Sequence, residues 1–478
     1  MKGRIKINAM SEEELALFTS RMEQLLIERG VSIDHPELMN IMEKAGCRIE
    51  GNHMWFTKEV IDKAIAAVPE AFTLYSPDGQ HDMTYPHPEG KFYTRTNTGA
   101  PYYCNVDGNK HQGTLDDLKE WYHLTNQLDN ISFVALPSAC DPSIPSKSID
   151  VCALEVALTS SKKHIWIQPY EAKNVSYLIE MCQAAAGGPD QLREKPIVSF
   201  ISCSVPVLQF KYMDSEIILR CAQAGIPVQP CALPAGGANT PVTAQGTALA
   251  ASADVLAQIV MLETICPGLP VIATPLLFSM DMRTTMTIQS NTEITFGRLI
   301  CMQAFEQGYN IRCHSYGTGT DSLKLDGQNM IERTSLIQAM AMSDASVLGG
   351  AGQVETAMTI NPLVLIADDE IFEIAQRLRT GLEVSDEEMD FEELLAGNDE
   401  TTFLATKHTR RHYKKMHMPK LFYKGKIPNL DEENREFMDR VKDKYDKLTA
   451  NPVEPVFSEE TINKIHDIAE NAIKELEK

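Results

Sequence analysis

The sequence predicts a (β/α)8 TIM barrel with an N-terminal α+β cap and a C-terminal helical extension. Three observations predict this fold: eight short runs rich in β-branched residues follow residue 114, stretches of helical periodicity separate them, and each run is continuously apolar. Continuously apolar strands are buried on both faces, as in a closed parallel barrel surrounded by helices. A doubly wound open sheet is the alternative that the same pattern allows.

Residues 1–114 are predicted to form the cap. Apolar residues recur at helical spacing in "EEELALFTSRMEQLLIERG", "HPELMNIMEKAGC" and "EVIDKAIAAVP", which predicts three helices, and the first two stretches contain a glycine near their end. Between Phe72 and Asp107 the chain is rich in Tyr, Thr, Pro and Gly, which indicates short strands and turns.

The predicted barrel covers residues 115–382. Its strands are expected at the runs "ISFVALP" from Ile131, "HIWIQP" from His164, "IVSFIS" from Ile197, "PVQPCALP" from Pro227, "PVIATP" from Pro270, "NIRCHS" from Asn310, "ASVLGG" from Ala345 and "LVLIAD" from Leu363. Helices are expected at 147–161, 172–186, 211–224, 244–266, 292–307 and 328–342. Residues 383–478 form the extension, which passes from an acidic to a basic stretch and ends in an amphipathic helix that could pack on the barrel or on a second subunit of a homo-oligomer.

Composition excludes several classes of partner. The chain has 44 basic and 66 acidic side chains, and a net charge of -22 repels nucleic acid and anionic membranes. The start has no apolar core of signal-peptide length and no 18 uncharged apolar residues run together, which predicts a cytoplasmic protein. The 11 cysteines are scattered and form no Cys-x-x-Cys pair, so we expect reduced thiols and no metal site.

Active sites of this barrel lie in the loops after the strands. The stretch "NIRCHSYGTGTDSLKLDG", residues 310–327, brings His314 and Tyr316 to that end, and Cys140 follows the first predicted strand there. No lysine ends a predicted strand, and no cluster of carboxylates and histidines occurs at these ends. Schiff-base and metal-dependent enolising chemistry are therefore disfavoured.

Four stretches carry a resemblance to a known family. They are "LLIERGVSIDHPELMNIMEKAGCRIEGNHMWFTKEVIDKAIAAVPEAFTLYSPD", "PVTAQGTALAASADVLAQIVMLETICPGLPVI", "GTGTDSLKLDGQNMIERTSLIQAMAMSDASVLGGAGQVE" and "FLATKHTRRHYKKMHMPKLFYK". Together they resemble the trimethylamine methyltransferase (MttB) superfamily over residues 25–424, in a member without pyrrolysine. The resemblance implies a methyltransferase that demethylates glycine betaine, proline betaine, carnitine or γ-butyrobetaine and passes the methyl to the Co(I) of a cognate corrinoid protein. Cobalamin would then be supplied by that partner and not bound permanently here.

The chemistry of a quaternary amine selects candidate residues. The nitrogen leaves as a neutral tertiary amine, so no general acid and no catalytic residue are predicted, only residues that position the substrate. Aromatic faces and carboxylates hold a cation that cannot donate hydrogen bonds, and Arg or His binds a betaine carboxylate. The substrate-binding candidates are Tyr93, Arg95, Tyr102, Tyr103, Trp166, Phe200, Phe278, Arg312, His314, Tyr316, Asp321 and Glu355, with Arg283 as another carboxylate anchor and Glu263 as another countercharge.

The glycine run "LGGAGQVE" has two interpretations. Gly349, Gly350 and Gly352 could let the flat corrin ring approach closely, as the resemblance favours, or they could cradle a phosphate. Other functions stay open as well: a TIM-barrel lyase or folate-dependent methyltransferase acting on a cationic small molecule, and a non-catalytic betaine-binding protein.

Overall fold

The computed structural model describes residues 5–136, 141–397, 402–422 and 437–477. The part before residue 113 contains helices α1 (Glu12–Gln24), α2 (Pro36–Ala45) and α3 (Lys58–Ala67), and strands β1 (Val31–Ile33), β2 (Arg48–Glu50), β3 (His53–Trp55), β4 (Phe72–Leu74), β5 (Met83–Tyr85), β6 (Tyr93–Thr96), β7 (Tyr102–Cys104) and β8 (Lys110–Gln112). The three predicted helices are thus present. Local sequence starts them: Ser11 and Glu14 form a capping box at α1, and Pro36 occupies the first turn of α2.

The central part alternates strands with helices. Its helices are α4 (Leu115–Thr125), α5 (Ile149–Ser160), α6 (Val175–Ala186), α7 (Pro189–Glu194), α8 (Tyr212–Ala224), α9 (Ala244–Ile265), α10 (Thr292–Gln303), α11 (Gly327–Ala341) and α12 (Pro362–Arg379). Its strands are β9 (Val134–Ala135), β10 (Ile165–Ile167), β11 (Val198–Ser204), β12 (Gln209–Phe210), β13 (Val228–Ala232), β14 (Ala235–Gly236), β15 (Thr274–Pro275), β16 (Phe278–Met280), β17 (Thr287–Ile288), β18 (His314–Tyr316), β19 (Val347–Ala351), β20 (Gln353–Val354) and β21 (Thr359–Ile360).

A curled parallel sheet organises this mixed α/β fold. Five strands pair in the order β15, β13, β11, β10, β9, and three more in the order β18, β19, β6. Single parallel bridges, Ala273 with Cys313 and Arg95 with Phe133, connect the edges of the two groups. Each predicted helix between 147 and 342 overlaps an observed one. The periodicity that predicted these helices comes from apolar residues that the fold buries in its core.

The eighth predicted strand was wrong. The run "LVLIAD" begins helix α12, where the Asn361 side chain accepts hydrogen bonds from the backbone N–H groups of Leu363 and Val364. A short apolar run does not distinguish a buried strand from a buried helix. Strand β6 takes the place beside β19, and its Tyr93 lies opposite Val347. This strand belongs to the segment that we assigned to the cap; the division at residues 114 and 382 stays a prediction.

Helix α9 is long and strongly apolar. By length and composition it could cross a membrane, but 83% of its apolar window is buried inside the protein. Its side chains from Ala250 to Glu263 are buried all round because α3, α8 and α10 pack against it. Its apolar character is therefore that of a core helix.

A buried ion pair fixes the start of helix α12 against α11. Both oxygens of Asp368 accept from Nη1 of Arg333, at 2.9 and 2.7 Å, and neither side chain is exposed. Asp368 also accepts from the backbone N–H of Gly352 at 2.7 Å, which ties the glycine run to the pair. The acid predicted to end strand eight is thus a structural partner of an arginine.

The C-terminal extension contains helices α13 (Asp386–Met389), α14 (Phe391–Ala396), α15 (Lys407–His412), α16 (Phe437–Thr449) and α17 (Glu459–Leu476). The acidic and basic stretches meet, because His412 and Lys415 both lie within 4 Å of Glu388. The amphipathic helix α17 packs on α5 and α6 of its own chain. Of the two interpretations of this helix, packing on the same chain is the one observed.

Candidate functional site

Arg95 lies at the centre of the candidate site. Its side chain projects from β6 and is fully buried. Its Cζ atom lies 4.1 Å from the centroid of the Trp166 ring. Its Nε atom donates to Nε2 of His314 at 3.3 Å and its Nη1 atom donates to the carbonyl of Thr96 at 2.6 Å. Within the described ranges, Nη2 of Arg95 and Nε1 of Trp166 have no hydrogen-bond partner. Burial lowers the pKa of Arg95 to about 10, so it is cationic at neutral pH.

His314 is held against this guanidinium as a neutral ring. Because its Nε2 atom accepts from Arg95, the proton of the neutral imidazole resides on Nδ1, an atom without a partner among the described residues. Burial, and then the charge of Arg95, holds the pKa of His314 well below 6.5. The ring meets Trp166 edge to face, with centroids 5.5 Å apart. Arg95, Trp166 and His314 therefore present unsatisfied donors and one uncompensated positive charge.

This depressed pKa predicts how stability depends on pH. The unfolded chain takes up a proton at His314 below pH 6.5 and the folded chain does not, so the stabilisation is complete above pH 6.5 and is lost as the pH falls. Relative to His314→Gln, the wild type should lose about 1.4 kcal/mol of unfolding free energy per pH unit below 6.5. Urea denaturation from pH 8 to 5 measures this difference.

The control is His466→Gln, at a surface ring. The pKa of His466 is raised by its hydrogen bond to Glu155, so its contribution is present below pH 6.5 and is lost as the pH rises. The two variants should therefore show pH dependences of opposite sign. A pH-independent difference for His314→Gln would mean that His314 has the same pKa in the folded and the unfolded chain, which contradicts the burial of a neutral ring.

Tyr316 continues the site along the same strand. His314 and Tyr316 are two residues apart on β18 and so point to the same side. The ring of Phe278, from β16, packs edge to face on Tyr316 with centroids 5.6 Å apart, and the Cζ atom of Arg298 lies 5.4 Å from the Tyr316 centroid. The structure thus brings together five of the predicted residues: Arg95, Trp166, Phe278, His314 and Tyr316.

Sequence reasoning missed Arg298 altogether. It lies in the second turn of α10, in "TEITFGRLI", where a helical arginine has the pattern of a solvated residue. The structure buries it completely, with Nη2 donating to the carbonyls of Leu277 at 2.7 Å and Gln289 at 2.9 Å. The only available signal was a single charge among apolar residues that face the sheet.

The glycine run is packed within the protein. A Cβ atom on Gly349 would lie 2.5 Å from Nε2 of His314, one on Gly350 would lie 2.3 Å from the carbonyl of Thr318, and one on Gly352 would lie 2.2 Å from the Trp121 ring. All three glycines are buried. They allow side chains and backbone of this chain to approach closely, and these contacts cover the surface that a corrin ring or a phosphate would need at Gly349, Gly350 and Gly352.

Two predicted residues on sheet strands lie away from the cluster. Arg312 precedes β18 at the opposite end of the sheet, where it forms an ion pair with Glu306 at 3.3 Å. Phe200 shares its face of β11 with Ser202, whose hydroxyl bonds to the carbonyl of Asp214 in α8, so Phe200 faces the helices. Neither contacts Arg95, because strand position and alternation direct them elsewhere.

Three predicted tyrosines are also used elsewhere. Tyr93 donates to the carbonyl of Thr84 at 2.9 Å and packs on Tyr85. Tyr103 donates to Glu120 at 2.9 Å, and the Tyr102 ring is covered by Lys110 at 4.3 Å. These side chains stabilise the packing of the N-terminal strands.

The predicted carboxylates serve structure as well. Asp321 accepts from the backbone N–H of Gln289 at 2.8 Å and from Thr356 at 2.8 Å, which joins three loops above Tyr316. Glu355 pairs with Lys110 and accepts from Thr359 at 2.7 Å, whereas Glu263 binds the N–H of Gly268 at the far end of α9.

The remaining predictions concern the rim and metals. Arg283 is 90% exposed on the hairpin between β16 and β17 and pairs with Asp281. Cys140 lies outside the described residues. In the part of the chain that the structure describes, no three His, Cys, Asp or Glu side chains are grouped so that they could hold a metal ion.

The fold and the site together define a mixed α/β protein that presents a buried basic and aromatic cluster at the ends of parallel strands. Over residues 2–476 the chain matches the family described as Trimethylamine methyltransferase (MTTB), and it belongs to that family.

Two curated relatives and one solved structure are among the proteins to which this chain is similar. Trimethylamine methyltransferase MttB of Methanosarcina barkeri (strain Fusaro / DSM 804) is 25% identical over 415 residues, covering 85% of this chain and 83% of the relative. Glycine betaine methyltransferase of Desulfitobacterium hafniense (strain Y51) is 23% identical over 458 residues, covering 95% of both chains. The crystal structure of the Methanosarcina barkeri monomethylamine methyltransferase (MtmB) superposes with a TM-score of 0.49 at 11% identity, covering 98% of this chain and 88% of that one.

Proposed function

We propose that this chain demethylates a betaine-type quaternary amine and transfers the methyl to the Co(I) of a cognate corrinoid protein. Glycine betaine, proline betaine, carnitine and γ-butyrobetaine are the candidate substrates. The observation that carries the proposal is the unpaired guanidinium of Arg95, buried among aromatic rings. A buried charge without a partner is costly, so a ligand carboxylate that completes its hydrogen bonds is strongly favoured.

The framework that we infer is a closed (β/α)8 barrel. The two groups of parallel strands are connected at both edges by single bridges. A helix follows each of their eight strands before the next of the eight begins or, after β19, as α12; the eight are β6, β9, β10, β11, β13, β15, β18 and β19. This barrel takes its first strand from Tyr93–Thr96, N-terminal to the predicted domain boundary at residue 114. His314, Tyr316 and Phe278 then lie at the carboxyl ends of its strands, where this fold has its active sites.

The arrangement suits a zwitterion better than a simple amine. Arg95 and the Nε1–H of Trp166 offer donors to a carboxylate, while the rings of Tyr316 and Phe278 offer faces to a quaternary ammonium group. A protonated trimethylamine has no anionic end and would be repelled by the uncompensated charge. Orientation by the two ends of a betaine can contribute on the order of 7–11 kcal/mol to lowering the barrier.

The transfer needs no proton from the protein. The corrinoid supplies Co(I), whose electron pair forms the bond to the methyl carbon while the C–N electron pair stays on nitrogen, which leaves as a neutral tertiary amine. Accordingly, the cluster contains a neutral His314 and cationic Arg95 and no carboxylic acid. These residues bind the carboxylate, orient the ammonium group and add no competing nucleophile.

The rim of the proposed barrel supports a protein partner for this step. Val242, Met282 and Met286 are 64%, 61% and 66% exposed on the loops after the strands. Flexible methionine side chains adapt to a partner surface. The apolar rim, and not the buried glycine run, fits a corrinoid protein that must present its cobalt at this end.

A Co(I) assay tests the proposal. Purified protein, a reduced corrinoid protein or cobalamin, and each of the four betaines are mixed, and methyl-cobalt is followed by its absorption spectrum. We expect Co(I) decay with at least one betaine and none with trimethylamine. Decay with trimethylamine alone would refute the proposal, binding of a betaine without methyl transfer would favour a binding protein, and transfer that requires tetrahydrofolate would favour a folate enzyme.

A further inference from the structure

We propose that the site has a second anion subsite at Arg298, so that its preferred substrate is a quaternary amine carrying two carboxylates. This rests on the proposed function, whose carboxylate is bound at Arg95. The Arg298 guanidinium lies 5.4 Å from the Tyr316 ring, and both Arg95 and Arg298 interact electrostatically with the Tyr316 phenol. The structure offers hydrogen-bond donors for a second carboxylate, and glycine betaine has only one carboxylate.

Unsatisfied donors are the first observation. Arg298 is fully buried, and only its Nη2 atom donates, to the two backbone carbonyls of Leu277 and Gln289. Its Nε and Nη1 atoms have no partner among the described residues. Buried polar atoms are nearly always hydrogen-bonded, so two free donors on one buried guanidinium indicate a ligand that completes them.

Two other arginines, the fully buried Arg333 and the partly buried Arg312, each pair with a carboxylate. Arg333 donates to both oxygens of Asp368, at 2.9 and 2.7 Å, and Arg312 pairs with Glu306 at 3.3 Å. Arg95 and Arg298 have no carboxylate within ion-pair distance in the ranges that the structure describes. Buried Arg379 donates instead to the backbone carbonyls of Gly90 and Ser343. What distinguishes Arg298 is that two of its three guanidinium nitrogens have no partner among the described residues.

The nearest acidic residue is not free to serve as the countercharge. Asp321 acts on Arg298 electrostatically, but its two oxygens accept from the N–H groups of Gln289 at 2.8 Å and Ser290 at 3.1 Å. It also accepts from the Thr356 hydroxyl at 2.8 Å. Its position is thus set by the loops that it joins, and the donors of Arg298 stay available.

Tyr316 connects the two subsites. Burial raises the pKa of its phenol to about 12, while Arg95 and Arg298 both oppose that rise. The Arg298 guanidinium is 5.4 Å from the Tyr316 ring, and His314, the partner of Arg95, is two residues before Tyr316. One small molecule beside the phenol can therefore reach both guanidiniums.

Charge balance gives the number of anionic groups. The two guanidiniums carry two positive charges. A betaine with one carboxylate is neutral overall, so the net charge of the site stays at two when it binds. A quaternary amine with two carboxylates carries one net negative charge and reduces the buried excess to one. Because charge in a buried site is expensive, the dicarboxylate is the better ligand.

Calorimetric titration without any corrinoid tests the subsite. The probes are glycine betaine, N,N,N-trimethylaspartate and N,N,N-trimethylglutamate. The wild type should bind the better dicarboxylate at least about tenfold more tightly than glycine betaine, which corresponds to one added charge-assisted hydrogen bond. In Arg298→Gln this preference should vanish, whereas in the rim variant Arg283→Gln it should persist. Equal wild-type affinities, or a preference that Arg298→Gln retains, would overturn the proposal.

Two further measurements separate folding and function from the subsite. If Arg298→Gln fails to fold, Arg298→Lys is the variant to test, because lysine keeps the charge and has fewer hydrogen-bond donors. Its preference for the dicarboxylate over glycine betaine should be at least about threefold smaller than that of the wild type, with the affinity for glycine betaine unchanged. An undiminished preference would refute the subsite. If no quaternary amine methylates Co(I) while the preference holds, the proposed function fails and the subsite stands. Rapid methyl transfer from glycine betaine with no preference for dicarboxylates would overturn the subsite alone.

Discussion

Replacing Arg95 by methionine is expected to lower kcat/KM for the best betaine by about 100-fold or more. Under the proposed function, the two N–H groups of the free Nη2 atom donate charge-assisted hydrogen bonds to the carboxylate, each worth roughly 1.5–3 kcal/mol. Methionine has a similar length, so it fills the space over the Trp166 ring. Co(I) decay measured against betaine concentration gives kcat/KM.

Stability should change in the opposite direction. Arg95 is buried without a carboxylate partner in the described part of the chain, and removing such a charge relieves its desolvation cost. We therefore expect Arg95→Met to melt at or above the wild-type temperature. Arg411→Met, at a 68% exposed side chain of α15, is the matched control and should leave both quantities unchanged. An unaltered kcat/KM in folded Arg95→Met would remove Arg95 from the site.

Replacing Asp368 by asparagine is expected to destabilise the fold by about 3–5 kcal/mol. The change removes the negative charge that compensates the fully buried Arg333. It also weakens the bond from the Gly352 N–H, which holds the glycine run beside His314. Urea denaturation measures the free energy of unfolding, and total stabilities of about 5–15 kcal/mol make such a loss large.

A double variant provides the control for this pair. Arg333→Met with Asp368→Leu removes both charges together, and we expect it to recover most of the stability that Asp368→Asn loses, because apolar replacements of buried ion pairs are often neutral. If the double variant is as unstable as the single one, the pair acts through its hydrogen bonds to Asn329 and Gly352 and not through its charge.

How much could be predicted from the sequence differs between the fold and the site. Alternating apolar runs and helical stretches located seven parallel strands and the helices between them, because burial on both faces leaves a strong signal. The eighth was misplaced for two physical reasons. "LVLIAD" is apolar enough for either structure, and "YTRT" in β6 is polar because its Arg95 points into the site.

The site residues also fall into two groups, those with a signal in the sequence and those without one. Position after a strand predicted His314 and Tyr316, and an arginine in a polar run predicted Arg95, and the structure brings these three residues into the candidate cluster. The direction of a side chain on a fully apolar strand has no sequence signal, so Phe200 was misassigned. Arg298 required tertiary structure, since its helix buries a charge that periodicity predicts to be solvated.

The pairing of β6 with β19 has a consequence for how the protein folds. These neighbouring strands are separated by about 250 residues, because Tyr93 lies opposite Val347. At synthesis rates of about 5–20 residues per second, the first strand waits roughly 10–50 s before its partner leaves the ribosome. Early in that time neither Trp166 nor His314 has been synthesised, and His314 follows Trp166 by about 150 residues. The candidate cluster is therefore among the last parts of the protein to form, and under the proposed function a nascent chain interrupted before residue 347 should bind no betaine.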